Sequence, residues 1–321
     1  MKFSPILIVA GEPNSIFIEI FIKSLKRIKI KRPIILISSL KVIKLQMIKL
    51  NYNIEINILD YKKLNNYKLN NRSINLINVE FNQKKAFLKI SKNSKKYIEK
   101  MFRIAFKIIK KEKIQRFING PISKKHFLDK KYLGITEYIS DYFSQKKTCM
   151  LIFNKKLSVC PITTHLPLKL VPKNINKKKI EDKIYLIQSF YKKYFKIKPK
   201  IGILGINPHC ESILKYNEDE KIIKPLINNM KKKGFKLKGP LSADTAFLKN
   251  NRKNYDVIIG MYHDQILTPI KTLFEYDAIN ITLGLPFLRV SPDHGPNEQM
   301  MGKNISNPLS LIQAIKFLDK N

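Results

Sequence analysis

Residues 256–264 read Asp256-Val-Ile-Ile-Gly-Met-Tyr-His-Asp264. The run is short and β-branched, which reads as a buried strand, and Gly260 ends it before a histidine beside an acid. Two other stretches have the same design: Leu157-Ser-Val-Cys-Pro-Ile-Thr-Thr-His165 and Ile201-Gly-Ile-Leu-Gly-Ile-Asn-Pro-His209. Working outward, further strands are expected at 6–10, 34–38, 117–118 and 150–153, beside those at 157–163, 201–206 and 256–261. Amphipathic helices lie between them. Tyr97, Ile98, Met101, Phe102, Ala105, Ile108 and Ile109 share one face, as do Ile180, Ile184, Ile187, Tyr191 and Tyr194. An early helix is expected to start after Pro13, a residue suited to a first helical turn. The alternation defines an α/β chain, and 321 residues suit two domains. Residues 41–89, rich in Asn, Lys and Ile, carry no usable motif.

Lys and Arg number 62 against 24 acids, a formal charge of +38, yet only seven of the cations are arginine. The lysines spread along the whole chain without an Arg stripe or interleaved aromatics, so no specific nucleic-acid partner is expected. Cys149, Cys160 and Cys210 form no CxxC pair and leave an odd one over, which argues for a reducing compartment. Ile6-Leu-Ile-Val-Ala10 is too short for a signal-peptide core, and no uncharged run reaches membrane-span length. A cytoplasmic protein without membrane contact is expected. No GxGxxG follows a strand and no Walker loop occurs, so a Rossmann dinucleotide site is not expected.

The chain has five histidines, and His165, His209 and His263 each follow a strand. Ligands of open α/β sheets bind beyond the carboxyl ends of strands, where three imidazoles could converge on one divalent ion. A strand-end histidine is equally at home as a hydrogen-bonded structural residue, and Glu211 and Asp264 stand beside two of them. His126, in a Lys-rich segment, reads as a surface residue without a partner. Arg289 is an uncommon choice in a Lys-dominated chain. It suggests a planar fork for a carboxylate or phosphate, or else a structural ion pair.

Several motifs together resemble the 4-hydroxythreonine-4-phosphate dehydrogenase family of vitamin B6 synthesis. They are Thr163-Thr-His-Leu-Pro-Leu, Gly205-Ile-Asn-Pro-His, Gly239-Pro-Leu-Ser-Ala-Asp-Thr, Met261-Tyr-His-Asp-Gln and Asn280-Ile-Thr-Leu-Gly-Leu-Pro-Phe-Leu-Arg. Gly11-Glu-Pro, Gly120-Pro, Thr136-Glu and Asp293-His-Gly occur in matching order. The resemblance implies two α/β/α sandwich domains with a cleft between them, as in isocitrate and isopropylmalate dehydrogenases. Residues 1–120 plus 266–321 would form the nucleotide-binding domain, and 121–265 the metal, substrate and dimerisation domain.

It also implies a homodimer with a shared active site in the cleft, and NAD or NADP bound without a Rossmann fingerprint. His165 and His209 match metal ligands of one subunit and His263 a ligand from the other, for zinc, cobalt, magnesium or manganese. Thr136, Lys271, Asn280 and Arg289 match substrate-binding positions. Asp244 and Asp264 match acids near the chemistry, with Lys271 and Asp264 as candidate bases. Asp293, His294 and Gly295 match the nucleotide segment. The implied reaction is metal-assisted oxidation of 4-phosphooxy-L-threonine, then decarboxylation.

The chain departs from the family pattern at several places. Ile135 stands where the family has a substrate-contacting histidine, Asn119 replaces a Thr, and Asn14-Ser-Ile-Phe-Ile-Glu19 replaces a Gly-rich turn. The segment Pro296-Asn-Glu-Gln also differs. These departures keep three rivals open: a dehydrogenase of another phosphorylated hydroxy acid, a metal-dependent hydrolase, and a non-catalytic dimer.

Overall fold

A computed structural model describes residues 4–128, 131–132, 134–211 and 217–321. The chain divides into two compact units, residues 1–139 with 285–321 and residues 140–284. The boundaries expected from sequence stood at 120 and 265. The chain is thus mixed α/β, as its alternating pattern requires.

The first unit holds six parallel strands: β1 (Ile6–Val9), β2 (Ile34–Ser38), β3 (Ile56–Ile58), β4 (Ile74–Asn78), β5 (Arg116–Asn119) and, from late in the chain, β12 (Leu288–Pro292). Their order is β3-β4-β2-β1-β5-β12. Every residue of β1 and β2 is buried, as strands covered on both faces must be. Ile8 lies opposite Leu36 on one side and Ile118 on the other. Parallel neighbours need crossovers, and helices Phe17–Arg27, Leu40–Lys49 and Lys95–Glu112 supply them. The last buries the face foreseen from its periodicity, with Phe102 in ring contact with Phe106, Phe117, Phe127 and Tyr138. Lys113, in the left-handed region, ends it.

Strand order reverses between β1 and β5, and glycine is required on both sides of that point. A Cβ on Gly120 would fall 2.1 Å from the Ala10 carbonyl oxygen, and one on Gly11 2.2 Å from that of Pro121. The early helix begins at Phe17, later than expected. Residues 12–15 are held in a tight turn instead: the Ser15 hydroxyl donates to the Glu12 carbonyl at 2.7 Å, and the Asn14 amide to the Glu12 carboxylate at 3.2 Å.

The second unit holds β6 (Cys149–Phe153), β7 (Ser158–Pro161), β8 (Ile201–Leu204), β9 (Leu237–Leu241), β10 (Val257–Gly260) and β11 (Ile279–Leu283). Their order is β11-β6-β7-β10-β8-β9. The β11–β6 and β6–β7 pairs are antiparallel, and β7, β10, β8 and β9 run parallel. Val159, Leu204, Ile258, Ile266 and Ile270 build the core around them. Helix Lys177–Phe195 starts at Asn176, whose side chain accepts from the Lys179 amide, and buries Ile180, Ile184, Ile187 and Tyr191 as predicted. No helix among the described residues is long and apolar enough to cross a membrane.

Glu12 is buried and accepts a 2.8 Å bond from the Ser94 hydroxyl. Burial pushes its carboxyl up to about 7. Below about 4.5 the group is protonated whether the chain is folded or not. As pH rises from there only the native state keeps the proton, so its contribution to stability is lost through about 7. The unfolding free energy of Glu12→Gln should therefore gain about 3 kcal/mol on the parent between these limits. Denaturant titrations across that range check it, and a constant difference would contradict it.

Candidate active site

Three adjacent parallel strands set the geometry. In the order β7-β10-β8, His165 follows β7, His263 follows β10 and His209 follows β8. All three loops therefore leave the same edge of one sheet, where neighbouring strands are ~5 Å apart. Backbone bonds stitch them together. The Ile162 amide donates to the Gly260 carbonyl at 2.8 Å, and the Thr163 hydroxyl to the Met261 carbonyl at 2.8 Å. The Gln265 side chain ties β10 to β8: its oxygen accepts from the Met261 amide at 2.7 Å, and its nitrogen donates to the Gly205 carbonyl at 2.8 Å.

The His165 and His263 rings lie 5.8 Å apart, centroid to centroid. The resemblance had grouped His165 with His209 and assigned His263 to the other subunit. His263 opens helix His263–Phe274, and its Nδ1–H donates to Asp264 Oδ1 at 2.7 Å. His209 has a parallel arrangement. The Ser242 hydroxyl gives its proton to Asp244 at 2.6 Å, so its oxygen accepts from His209 Nδ1 at 3.5 Å. Asp244 Oδ2 stands 3.9 Å from the same nitrogen. The Ser242 hydrogen bond holds the Asp244 carboxyl below the ordinary carboxylate range. Each acid thus faces the Nδ1 side of a histidine, which fixes the ring and leaves Nε2 outward.

His209 and Cys210 both have positive φ, 53° and 63°, in the left-handed region that non-glycine residues rarely occupy. Such strain needs surrounding structure to hold it. The donor chemistry suits a divalent ion, since imidazole nitrogens held by acids at Nδ1 are ordinary ligands of such ions. Among the described residues, however, no three His, Cys, Asp or Glu side chains form a ready-made cage. Lys271 lies on the helix of His263, just over two turns along, and is exposed. Asn280, on β11, has a buried Oδ1 with no hydrogen-bond partner among the described residues, an acceptor that a ligand donor would satisfy.

The first unit carries the other candidates. Arg289, on β12, is fully buried. Its Nε donates to Asn119 Oδ1 at 2.8 Å and its Nη1 to Thr136 Oγ1 at 3.3 Å. Burial pulls its pKa down to about 10, against the opposing field of Glu137. Lys124 feels the same acid, with burial lowering its pKa. Asn119, read from sequence only as a departure, is therefore the residue that aims the guanidinium. Ile135 opens helix Ile135–Tyr142 beside Thr136. His126 is half-buried rather than a surface residue, and its Nδ1 is enclosed. In the 293–295 turn the Asp293 amide donates to the Ser310 hydroxyl at 2.9 Å, and His294 Nδ1 lies 2.9 Å from the Gly295 carbonyl. A Cβ on Gly295 would meet no atom within 4 Å, so the turn has open space against it.

The comparisons with known proteins agree with this architecture. A sequence profile described as pyridoxal phosphate biosynthetic protein PdxA matches residues 27–318. A 4-hydroxythreonine-4-phosphate dehydrogenase from Sulfurihydrogenibium sp. (strain YO3AOP1) is 38% identical over 317 residues, 97% of this chain and 96% of its own. A D-threonate 4-phosphate dehydrogenase from Salmonella typhimurium is 29% identical over 324 residues, covering 99% of this chain and 98% of its own. The solved 4-hydroxythreonine-4-phosphate dehydrogenase of Klebsiella pneumoniae superposes with a TM-score of 0.83 at 26% identity, over 98% of each chain. The fold is that of a family whose relatives are named as dehydrogenases. The chain belongs to the PdxA family.

Replacing Gln265 by Leu should leave the Met261 amide and the Gly205 carbonyl unpaired. A stability loss of about 1–3 kcal/mol is expected, with faster exchange of the Met261 amide hydrogen. Chemical denaturation and hydrogen-exchange mass spectrometry check both, and unchanged exchange would show that the stitch is not made.

Proposed function

We propose that the chain oxidises the secondary alcohol of 4-phosphooxy-L-threonine with NAD or NADP, giving 2-amino-3-oxo-4-phosphooxybutanoate. Decarboxylation to 3-amino-2-oxopropyl phosphate follows, in the synthesis of pyridoxine 5′-phosphate. The observation that carries the reading is the set of three histidine loops on adjacent strand ends, two of them backed by a carboxylate, in a chain 38% identical to a relative of that name.

His165 and His209 of one copy and His263 of a second copy would hold one divalent ion in a homodimer. When bound, zinc, cobalt, magnesium or manganese supplies Lewis acidity toward the substrate hydroxyl. Asp264 and Asp244 keep their histidines oriented. Lys271 and Asp264 are the candidates for taking the hydroxyl proton. Arg289, aimed by Asn119 and Thr136, holds an anionic group, and Lys124 adds a second positive charge near Glu137. Asn280 Oδ1 accepts from a substrate donor. The open turn at Asp293, His294 and Gly295 receives the nucleotide.

A second reading has its own support. Ile135 removes a polar partner, and a relative at 29% identity is named for D-threonate 4-phosphate. A site that lacks one hydrogen-bonding group discriminates differently between close analogues.

Nicotinamide reduction should be measured with both phosphorylated substrates and a series of divalent metals, for the parent and Ile135→His. Metal-dependent oxidation of 4-phosphooxy-L-threonine by both proteins is expected, faster in Ile135→His. His165→Ala should lose ion retention and turnover together. Arg289→Lys should raise KM by about 10- to 100-fold, the worth of one charge-assisted hydrogen bond. Turnover of D-threonate 4-phosphate alone would select the second reading, and no reduction with either substrate would reject both.

A further inference from the structure

The loop that carries His209 is anchored by a carboxylate outside the chemistry discussed so far. Asp219 is fully buried at the start of the turn Asp219–Ile223. Its Oδ1 accepts from the Ile206 amide at 2.8 Å, and its Oδ2 from the Asn207 amide at 3.0 Å and the Asn207 side-chain nitrogen at 3.0 Å. That nitrogen also lies 3.3 Å from Asn217 Oδ1 and from Glu218 Oε2. The Asn217 oxygen accepts in turn from the Asp219 amide at 2.9 Å. Among the described residues, the donors to the Asp219 carboxylate are the N–H groups of the segment that leads into His209.

Space at the site follows the same plan. A Cβ on Gly205 would stand 2.8 Å from Asp219 Oδ1 and 2.7 Å from the Cys210 sulfur, so glycine keeps room for the carboxylate. Two residues beyond the clamped Asn207, His209 enters the left-handed region, and Cys210 follows it. Two successive residues of this kind hold only if the chain ahead of them is fixed.

We propose that Asp219 is a positioning residue for the histidine centre, holding residues 206–207 so that the His209 imidazole is presented to the bound ion. The inference rests on the reading of His209 as an ion ligand. Residues that orient ligands from behind typically change ion affinity by about 10- to 100-fold when they are removed.

The test is cobalt(II) binding to the full-length chain, followed by its visible absorption and by equilibrium competition. The parent, His209→Ala, Asp219→Asn and Asn207→Ala are compared, with circular dichroism confirming that each is folded. Asp219→Asn turns one acceptor into a donor facing N–H groups; Asn207→Ala deletes a single donor and is the milder change. The expected result is a cobalt dissociation constant raised about 10- to 100-fold in Asp219→Asn, a smaller rise in Asn207→Ala, and an altered absorption band in both. A thermal shift alone, with cobalt affinity and spectrum like the parent's in the folded variants, would overturn the proposal. If Asp219→Asn does not fold, Asn207→Ala decides, and parental affinity there overturns it. A parent that binds no cobalt, or His209→Ala binding like the parent, would instead remove the reading on which the proposal rests.

Discussion

Strands β7, β10 and β8 lie side by side with Val159 opposite Ile258 and Ile258 opposite Gly202, and the positions of all three histidine loops depend on that register. A slip of one residue in β10 would turn Ile258 and its neighbours to the other face. It would also move His263 away from His165 by a strand step. The apolar packing of Val159, Leu204, Ile258 and Ile266 opposes such a slip, because each side chain fits one face of the sheet. Gln265 and Thr163 then carry the register past the strand ends into the loops. Precision at the candidate centre thus originates in sheet pairing and ends in two polar side chains.

The second constraint is the burial of Arg289. A guanidinium without water must be matched by acceptors, since an unpartnered buried charge is strongly destabilising. Asn119 and Thr136 provide neutral acceptors, and Glu137 provides the field of an acid. Lysine could not replace Arg289, lacking the planar fork that reaches Asn119 and Thr136 together.

Much of this was legible in the sequence where side chains follow a simple period. The strands that became β1, β2, β5, β6, β7, β8 and β10 are apolar runs, and helices Lys95–Glu112 and Lys177–Phe195 show their buried faces directly. The strands not foreseen break that rule for physical reasons. β3 has only three residues, all outside full burial, and β4 reads Ile-Asn-Leu-Ile-Asn within a stretch rich in Asn, Lys and Ile. β9 contains Lys238, Gly239 and Pro240, β11 interrupts its apolar residues with Asn280 and Thr282, and β12 contains the buried Arg289. In each, the pairing partner is distant in sequence and no unbroken apolar run marks the strand. The site shows the same division. Histidines at strand ends, and Asp264 beside His263, were visible, but Asp244 as the partner of His209 and Asp219 as the clamp of residues 206–207 were not. Gly205 was the available signal for Asp219, because glycine is scarce in this chain and the carboxylate needs its space.

The most direct test of the account is X-ray absorption at the metal edge of the zinc- or cobalt-loaded full-length protein. The account predicts an inner shell of three imidazole nitrogens at about 2.0–2.1 Å, with remaining positions filled by light oxygen atoms. A shell of oxygen alone, without the outer-ring scattering of imidazole, would contradict the claim that the three strand-end histidines form the centre.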